Sequence, residues 1–214
     1  MKTIRSQRAL AKALADLAGR DADIARALDI AGPPPIRRRA HGFETLLQII
    51  VGQQLSVASA RAIWRRLATA CEPLTPATVL ALDATACKAI GLSRQKHAYA
   101  RTLAEVVLDG GLDIAALAGR DDEDAIAVLS RVKGIGRWSA EMYLMFALGR
   151  ADIWPVGDVA VVVATQRLKR LAARPSAAEM DQIGAAWRPW RSAAALLMWH
   201  FYGVVPPGEW EGAG

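Results

Sequence analysis

The strongest constraint on this chain is a helical periodicity that is broken once, at Gly134-Ile135-Gly136, and resumed immediately on the far side. Upstream, Asp121-Asp122-Glu123-Asp124 places carboxylates in the first turn of a helix, where they complement its dipole. That helix is predicted to run to about Val132, with Ile126, Val128, Leu129 and Val132 apolar. From Arg137 onward Trp138, Met142, Met145 and Phe146 recur at i, i+4, i+7 and i+8, the spacing of one helical face. Glycines can take φ > 0 or admit another backbone, so the break reads as a tight turn between two helices. Such a turn exposes backbone N–H groups at a helix N-terminus, a ready site for phosphate. An ordinary αα-corner carries the same pattern.

Composition agrees with an all-α protein. In 214 residues, 53% of them hydrophobic, there is enough apolar surface for one large or two small domains. Alternating β-branched runs are nearly absent, and Val159 to Val163 is predicted helical because Gln166, Arg167 and Lys169 continue an amphipathic pattern. A formal net charge of +6 favours an anionic partner without demanding one. Cys71 and Cys87 lack a partner motif and read as small buried hydrophobes in a reducing compartment. No apolar run reaches the roughly 18–20 residues that span a bilayer, and no signal-peptide core opens the chain, so a cytoplasmic protein is expected.

Taken in order, helices are predicted from Gln7 to about Gly19 and from Asp21 to Ile30, before Gly32-Pro33-Pro34-Pro35 forces an extended segment. Arg37-Arg38-Arg39 follows, as a solvated loop or a phosphate contact. Phe43 opens a helix that stops at Gly52-Gln53-Gln54-Leu55, and Ser56 can cap the next. A helical pair spans Thr75 to Ile90, ended by Gly91, and Ser93 caps Arg94 to Leu108. Beyond Trp154-Pro155-Val156-Gly157-Asp158, helices are predicted to Leu171, from Ala177 to Trp187 and from Trp190 to Tyr202, then a frayed tail.

Three pieces together, Gly134-Ile135-Gly136-Arg137-Trp138, Pro155-Val156-Gly157-Asp158 and Trp187-Arg188-Pro189-Trp190-Arg191-Ser192, resemble the helix-hairpin-helix DNA glycosylases with a Gly/Pro-rich loop and a catalytic aspartate. Within them the likeness is to the alkylbase glycosylases, over roughly residues 40 to 203. The resemblance implies two helical lobes with a cleft between them that holds Asp158. One lobe would be about 46 to 154, with the helix-hairpin-helix near 121 to 149, and the other 1 to 45 with 155 to 214. It implies double-stranded DNA with alkylated bases as partner, a monomer at the chromosome, and hydrolysis without strand cleavage. Members that cut the backbone carry a lysine where this chain has Trp138.

The chemistry follows from the reaction. Losing a base leaves positive charge on the deoxyribose, which a fixed carboxylate stabilises while it orients water, and Asp158 is that carboxylate or merely a helix N-cap. A flipped cationic purine is held by electron-rich rings, and the resemblance points to Trp138 and Trp199, with Tyr143 a further candidate. It assigns phosphate binding to Lys133, Gly134, Ile135, Gly136 and Arg137. It places Gln53, Gln54 and Leu55 in a DNA-binding loop, where Gln54 or Leu55 beside it would enter the duplex; otherwise the loop is a helix-terminating turn with capping amides. Backbone carbonyls of Ser130, Val132 and Ile135 would hold a monovalent cation. No cofactor is required, and the four clustered cysteines of an iron–sulfur cluster are missing. A non-catalytic DNA-binding module would need the hairpin but neither Asp158 nor its aromatic neighbours. A helical scaffold would need none of these.

Overall fold

The computed structural model describes residues 1–205. The tail was expected to fray from Val204, but Val204 still belongs to the last helix and Val205 is buried; from Pro206 on, that expectation lies outside the described residues. The chain divides into two compact units, Met1–Arg38 with Gly149–Gly214, and Arg39–Leu148. The boundaries expected at 46 and 154 thus fall earlier, at 39 and 148. Local bonds account for the shift. Arg39 N–H donates to Phe146 O at 2.9 Å and joins the 39–148 unit, while Ile4 N–H donates to Gly149 O at 2.7 Å and ties 149 to the other.

The unit Arg39–Leu148 contains α3 (Phe43–Gly52), α4 (Val57–Ala70), α5 (Pro76–Leu80), α6 (Ala84–Ile90), α7 (Arg94–Leu108), α8 (Asp122–Ser130) and α9 (Arg137–Tyr143), which continues as a π turn over Leu144–Leu148. A single 3₁₀ turn, Ala115–Gly119, was not foreseen. Caps explain the starts: Ser56, Thr75, Asp83, Ser93 and Asp121 each accept a backbone N–H through the side chain. Gly91 ends α6 in the left-handed conformation at φ +88°, as its position predicts. Helix α3 is the most apolar of the unit and packs on α4, α7 and α9, burying Leu46, Leu47, Ile50 and Val51. Cys71 and Cys87 are buried here, and burial pushes both thiols up.

The other unit contains α1 (Gln7–Arg20), α2 (Ala22–Ala31), α10 (Val159–Leu168), α11 (Ala177–Ala185) and α12 (Arg191–Val204). Helix α12 is buried continuously from Ser192 to Met198, and α10, α2 and α1 pack around it. Val159 to Val163 is helical, as its amphipathic continuation requires. Thr3 and Arg150 form one antiparallel bridge, a contact no periodicity announces. Asp21 ends α1 and caps α2, and its Oδ2 also accepts from Lys169 Nζ (2.7 Å) and Trp187 Nε1 (2.8 Å). Burial alone would raise the Asp21 carboxyl, but these bonds and the Lys169 charge outweigh it and hold the group below its usual range. No helix of the described residues is long and apolar enough to cross a membrane.

Candidate functional site

The hairpin between α8 and α9 is closed by its own backbone. Val132 N–H donates to Leu129 O at 3.1 Å and Ile135 N–H to Val132 O at 2.9 Å. The Ile135 amide is therefore spent inside the turn, and its side chain is buried, so Ile135 anchors the hairpin rather than presenting a donor. The amides of Gly134 and Gly136 have no acceptor among the described residues. The two glycines are there for different reasons. Gly134 sits at φ +98°, and a Cβ there would come within 2.3 Å of the Tyr99 ring on α7. Gly136 is extended, at φ −88°, and a Cβ would meet nothing within 4 Å. Internal packing dictates the first glycine but not the second.

Arg137, expected to assist at phosphate, is engaged within the fold. Its guanidinium donates to both Glu123 oxygens, at 2.9 and 2.7 Å, and through Nε to Glu141 Oε1 at 3.0 Å. The Glu123 bonds first, then the charge of Glu141, hold it above its ordinary pKa. This fork ties the first turn of α8 to the first turn of α9, so the guanidinium is a brace. Lys133 is exposed, with no ion pair among the described residues. So is Arg131, one residue past α8, which sequence reasoning passed over; a cation at the negative end of a helix was the available signal.

The loop after α3 splits its three candidates. Gln53 Nε2 donates to Gly134 O and Ser139 Oγ, both at 2.9 Å, which clasps α3 to the hairpin. Lys96 Nζ donates to the carbonyls of Val51 (2.8 Å) and Gln53 (2.6 Å), closing the end of α3. Gln53 is thus occupied within the fold. Gln54 is exposed in the left-handed region at φ +55°, which a non-glycine residue adopts only when its surroundings impose it, and Leu55 beside it is 38% exposed. Trp138, in the first turn of α9, is also 38% exposed. Tyr143 does not share that face: it is 0% exposed, its hydroxyl accepts from Gly42 N–H at 3.0 Å, and burial pushes its pKa up to about 12. Its ring belongs to the core, which removes it as a base contact.

In the other unit, Asp158 caps α10. Its Oδ1 accepts from Val161 N–H and from Trp199 Nε1, each at 3.0 Å. The carboxylate is half-buried, and two donors on one oxygen fix its plane. The preceding loop is held from below. Asp158 N–H donates to Pro155 O (3.0 Å), Ile153 N–H to Ser192 Oγ (2.9 Å) and Trp154 Nε1 to Met180 O (2.8 Å). Trp154 stands edge-on to Trp187 at 5.0 Å, and a Cβ at Gly184 would lie 2.7 Å from the Trp154 indole. Arg191 forks onto Asp152 (2.8 and 3.0 Å), with Arg188 adding a third bond at 3.0 Å. The Trp187-to-Ser192 segment is therefore the foundation of the Asp158 loop, through contacts to Asp152 and Ile153 that lie far off in sequence.

A hairpin with open amides in one unit and a capped, indole-bound aspartate behind a Pro/Gly loop in the other are the two features that the sequence led one to expect of a helical DNA-repair protein, and the family match agrees with that class. The chain belongs to the HhH-GPD superfamily of base excision DNA repair proteins, which its residues 47–189 match. It is 29% identical to DNA-3-methyladenine glycosylase 1 of Schizosaccharomyces pombe, over 89% of this chain and 86% of that one. It is 30% identical to DNA-3-methyladenine glycosylase 2 of Escherichia coli, over 77% of this chain and 59% of that protein. A solved structure of the Schizosaccharomyces pombe 3-methyladenine DNA glycosylase in complex with abasic DNA superposes with a TM-score of 0.77 at 28% identity, covering 88% of this chain and 95% of that one. Among the described residues no group of three His, Cys, Asp or Glu side chains could hold a metal ion.

Proposed function

We propose that this chain is a DNA glycosylase of the alkylbase type, hydrolysing the N-glycosidic bond of alkylated purines such as 3-methyladenine in duplex DNA. The observation that carries the reading is the Asp158 carboxylate, held at the start of α10 by Val161 N–H and Trp199 Nε1. A module that only binds DNA could use Asp158 as a helix cap but needs no indole donor on the same carboxylate oxygen. The named relatives, and the abasic-DNA complex of one of them, support the substrate class.

The proposed chemistry needs little machinery. As the bond from C1′ to the base lengthens, the sugar gains positive charge, and the Asp158 carboxylate stabilises it electrostatically. The same carboxylate orients the water that attacks C1′; an alkylated purine leaves as a neutral base because it was cationic while bound. A single carboxylate then suffices. Trp199, fixed by its bond to Asp158, and Trp138 supply aromatic faces for the flipped base. The Gly134 and Gly136 amides with Lys133 and Arg131 take phosphate, and Gln54 or Leu55 fills the space the base vacates. Carbonyls of Ser130, Val132 and Ile135 would hold a monovalent cation, which would supply positive charge for phosphate; Val132 O keeps one lone pair for it after accepting Ile135 N–H. With Trp138 in place of a nucleophilic lysine, the reaction stops at the abasic site, and the protein acts as a monomer on the chromosome.

The direct test incubates the protein with methylated duplex DNA and separates released bases by chromatography. Appearance of 3-methyladenine is expected, and duplex binding without any released base would remove the enzymatic reading.

A further inference from the structure

Helix α4 carries Arg61, Arg65 and Arg66 and not one carboxylate, and no acidic residue occurs between Glu44 and Glu72. Arg66 is partly engaged, its Nε donating to Ile90 O at 2.7 Å across the end of α6. Arg61 and Arg65 are not: both are exposed, one helical turn apart, with no acceptor among the described residues. Elsewhere in this unit Arg101 reaches Glu105 and Arg137 reaches Glu123 and Glu141, whereas Arg61 and Arg65 share with Arg131 and Lys133 of the hairpin the lack of any such ion pair among the described residues. Small side chains lie alongside. Ala62, Thr69 and Ala70 line a shallow, open groove of about 490 Å³ beside Arg65 and Arg66, so a chain backbone can come close to the guanidinium groups.

The position of α4 gives the row a partner. The helix leaves directly from Gln54-Leu55, and Gln53 at the root of that loop is bonded to Gly134 and Ser139 of the hairpin. Arg65 lies about 12 Å along the axis from the start of α4 at 1.5 Å per residue. That length corresponds to roughly 3 to 4 steps of duplex at 3.4 Å each. We propose that Arg61 and Arg65 form a second phosphate anchor, which grips the duplex backbone a few base pairs away from the loop that fills the lesion. The anchor rests on the glycosylase reading for its ligand, though not for its geometry. Charge without an aliphatic or aromatic anchor suits a phosphate backbone better than a protein surface, whose recognition depends on buried apolar side chains. Of the large apolar residues on α4 only Val57 is exposed, at the loop end.

The test compares wild type, R61A/R65A and R61K/R65K on a long duplex with a central abasic site and on a truncated duplex that ends close to it. On the long duplex R61A/R65A should bind more weakly, with a log–log salt slope shallower by about 1.8, since two phosphate contacts are lost. R61K/R65K should keep the wild-type slope, because charge rather than fork geometry is what counts. On the truncated duplex all three should bind alike. Equal affinity and slope for wild type and R61A/R65A on the long duplex would overturn the anchor, leaving the row to an acidic protein partner. A wild-type chain that binds the long duplex but releases no base would remove the glycosylase reading, while the same slopes still decide the anchor. A wild-type chain that binds neither duplex overturns both.

Discussion

Trp199 Nε1 donates to Asp158 Oδ1 at 3.0 Å, on the same oxygen that caps α10 through Val161 N–H. The tryptophan proposed to face the base is thus also a positioning residue for the carboxylate proposed to face the sugar. Trp199→Phe keeps a ring and removes this donor. Excision should fall by about tenfold or more, the worth of a hydrogen bond to a charged group, while duplex affinity holds. A Phe variant with wild-type single-turnover rates would show that the cap alone orients Asp158.

Asp158→Asn separates capping from catalysis. Asparagine caps about as well as aspartate, so stability should change by well under ~1 kcal/mol. Excision should drop by orders of magnitude, because several kcal/mol of electrostatic stabilisation disappear with the charge. Thermal melting and base-release assays on one preparation read both effects. Near-normal excision by a folded Asn variant would sink the assignment.

The hairpin glycines should respond in opposite ways. Gly134→Ala meets the Tyr99 ring and an unfavourable φ of +98°, and should destabilise the fold by about 1–3 kcal/mol. Gly136→Ala has room and an ordinary φ, so stability should stay within ~0.5 kcal/mol while affinity for every duplex falls. Denaturant melts and binding isotherms separate the two outcomes; unchanged affinity for Gly136→Ala would take the hairpin out of the interface.

Trp138 should matter for the base and leave no covalent trace. Trp138→Ala should slow release of methylated purines about tenfold, within the ~1–3 kcal/mol of a base stacked on an aromatic ring. Borohydride added during turnover should trap no wild-type protein on DNA. A trapped adduct would place an amine nucleophile in the site.

Asp21 predicts how the fold meets acid. Its folded-state pKa lies below the ordinary carboxylate value, so its contribution is full above that value and is lost as pH falls through the depressed folded one. Wild type should lose stability below about pH 4, the ordinary carboxylate pKa. Asp21→Asn should be less stable at neutral pH, with a flatter acid limb. A parallel acid limb in the variant would dismiss Asp21 as its source.

What the sequence determined by itself was local: helices with their caps, the Gly-x-Gly break, the all-α class, and Asp158 at the mouth of a helix. Each rests on interactions within about one turn, so periodicity and capping chemistry are enough to read them. Tertiary structure decided what each side chain does once the helices meet. Arg137 reads in the sequence as a phosphate ligand; its bond to Glu123, fourteen residues away on the other helix of the hairpin, appears only in the fold. Tyr143 follows the helical face as well as any pocket residue does, yet only packing put its hydroxyl on Gly42 and its ring in the core. Gln53 and Gln54 are adjacent and chemically identical; one clasps the hairpin while the other is turned out at φ +55°. Side-chain commitments such as these are settled by which partner arrives at about 3 Å, and only the folded chain brings the partners together.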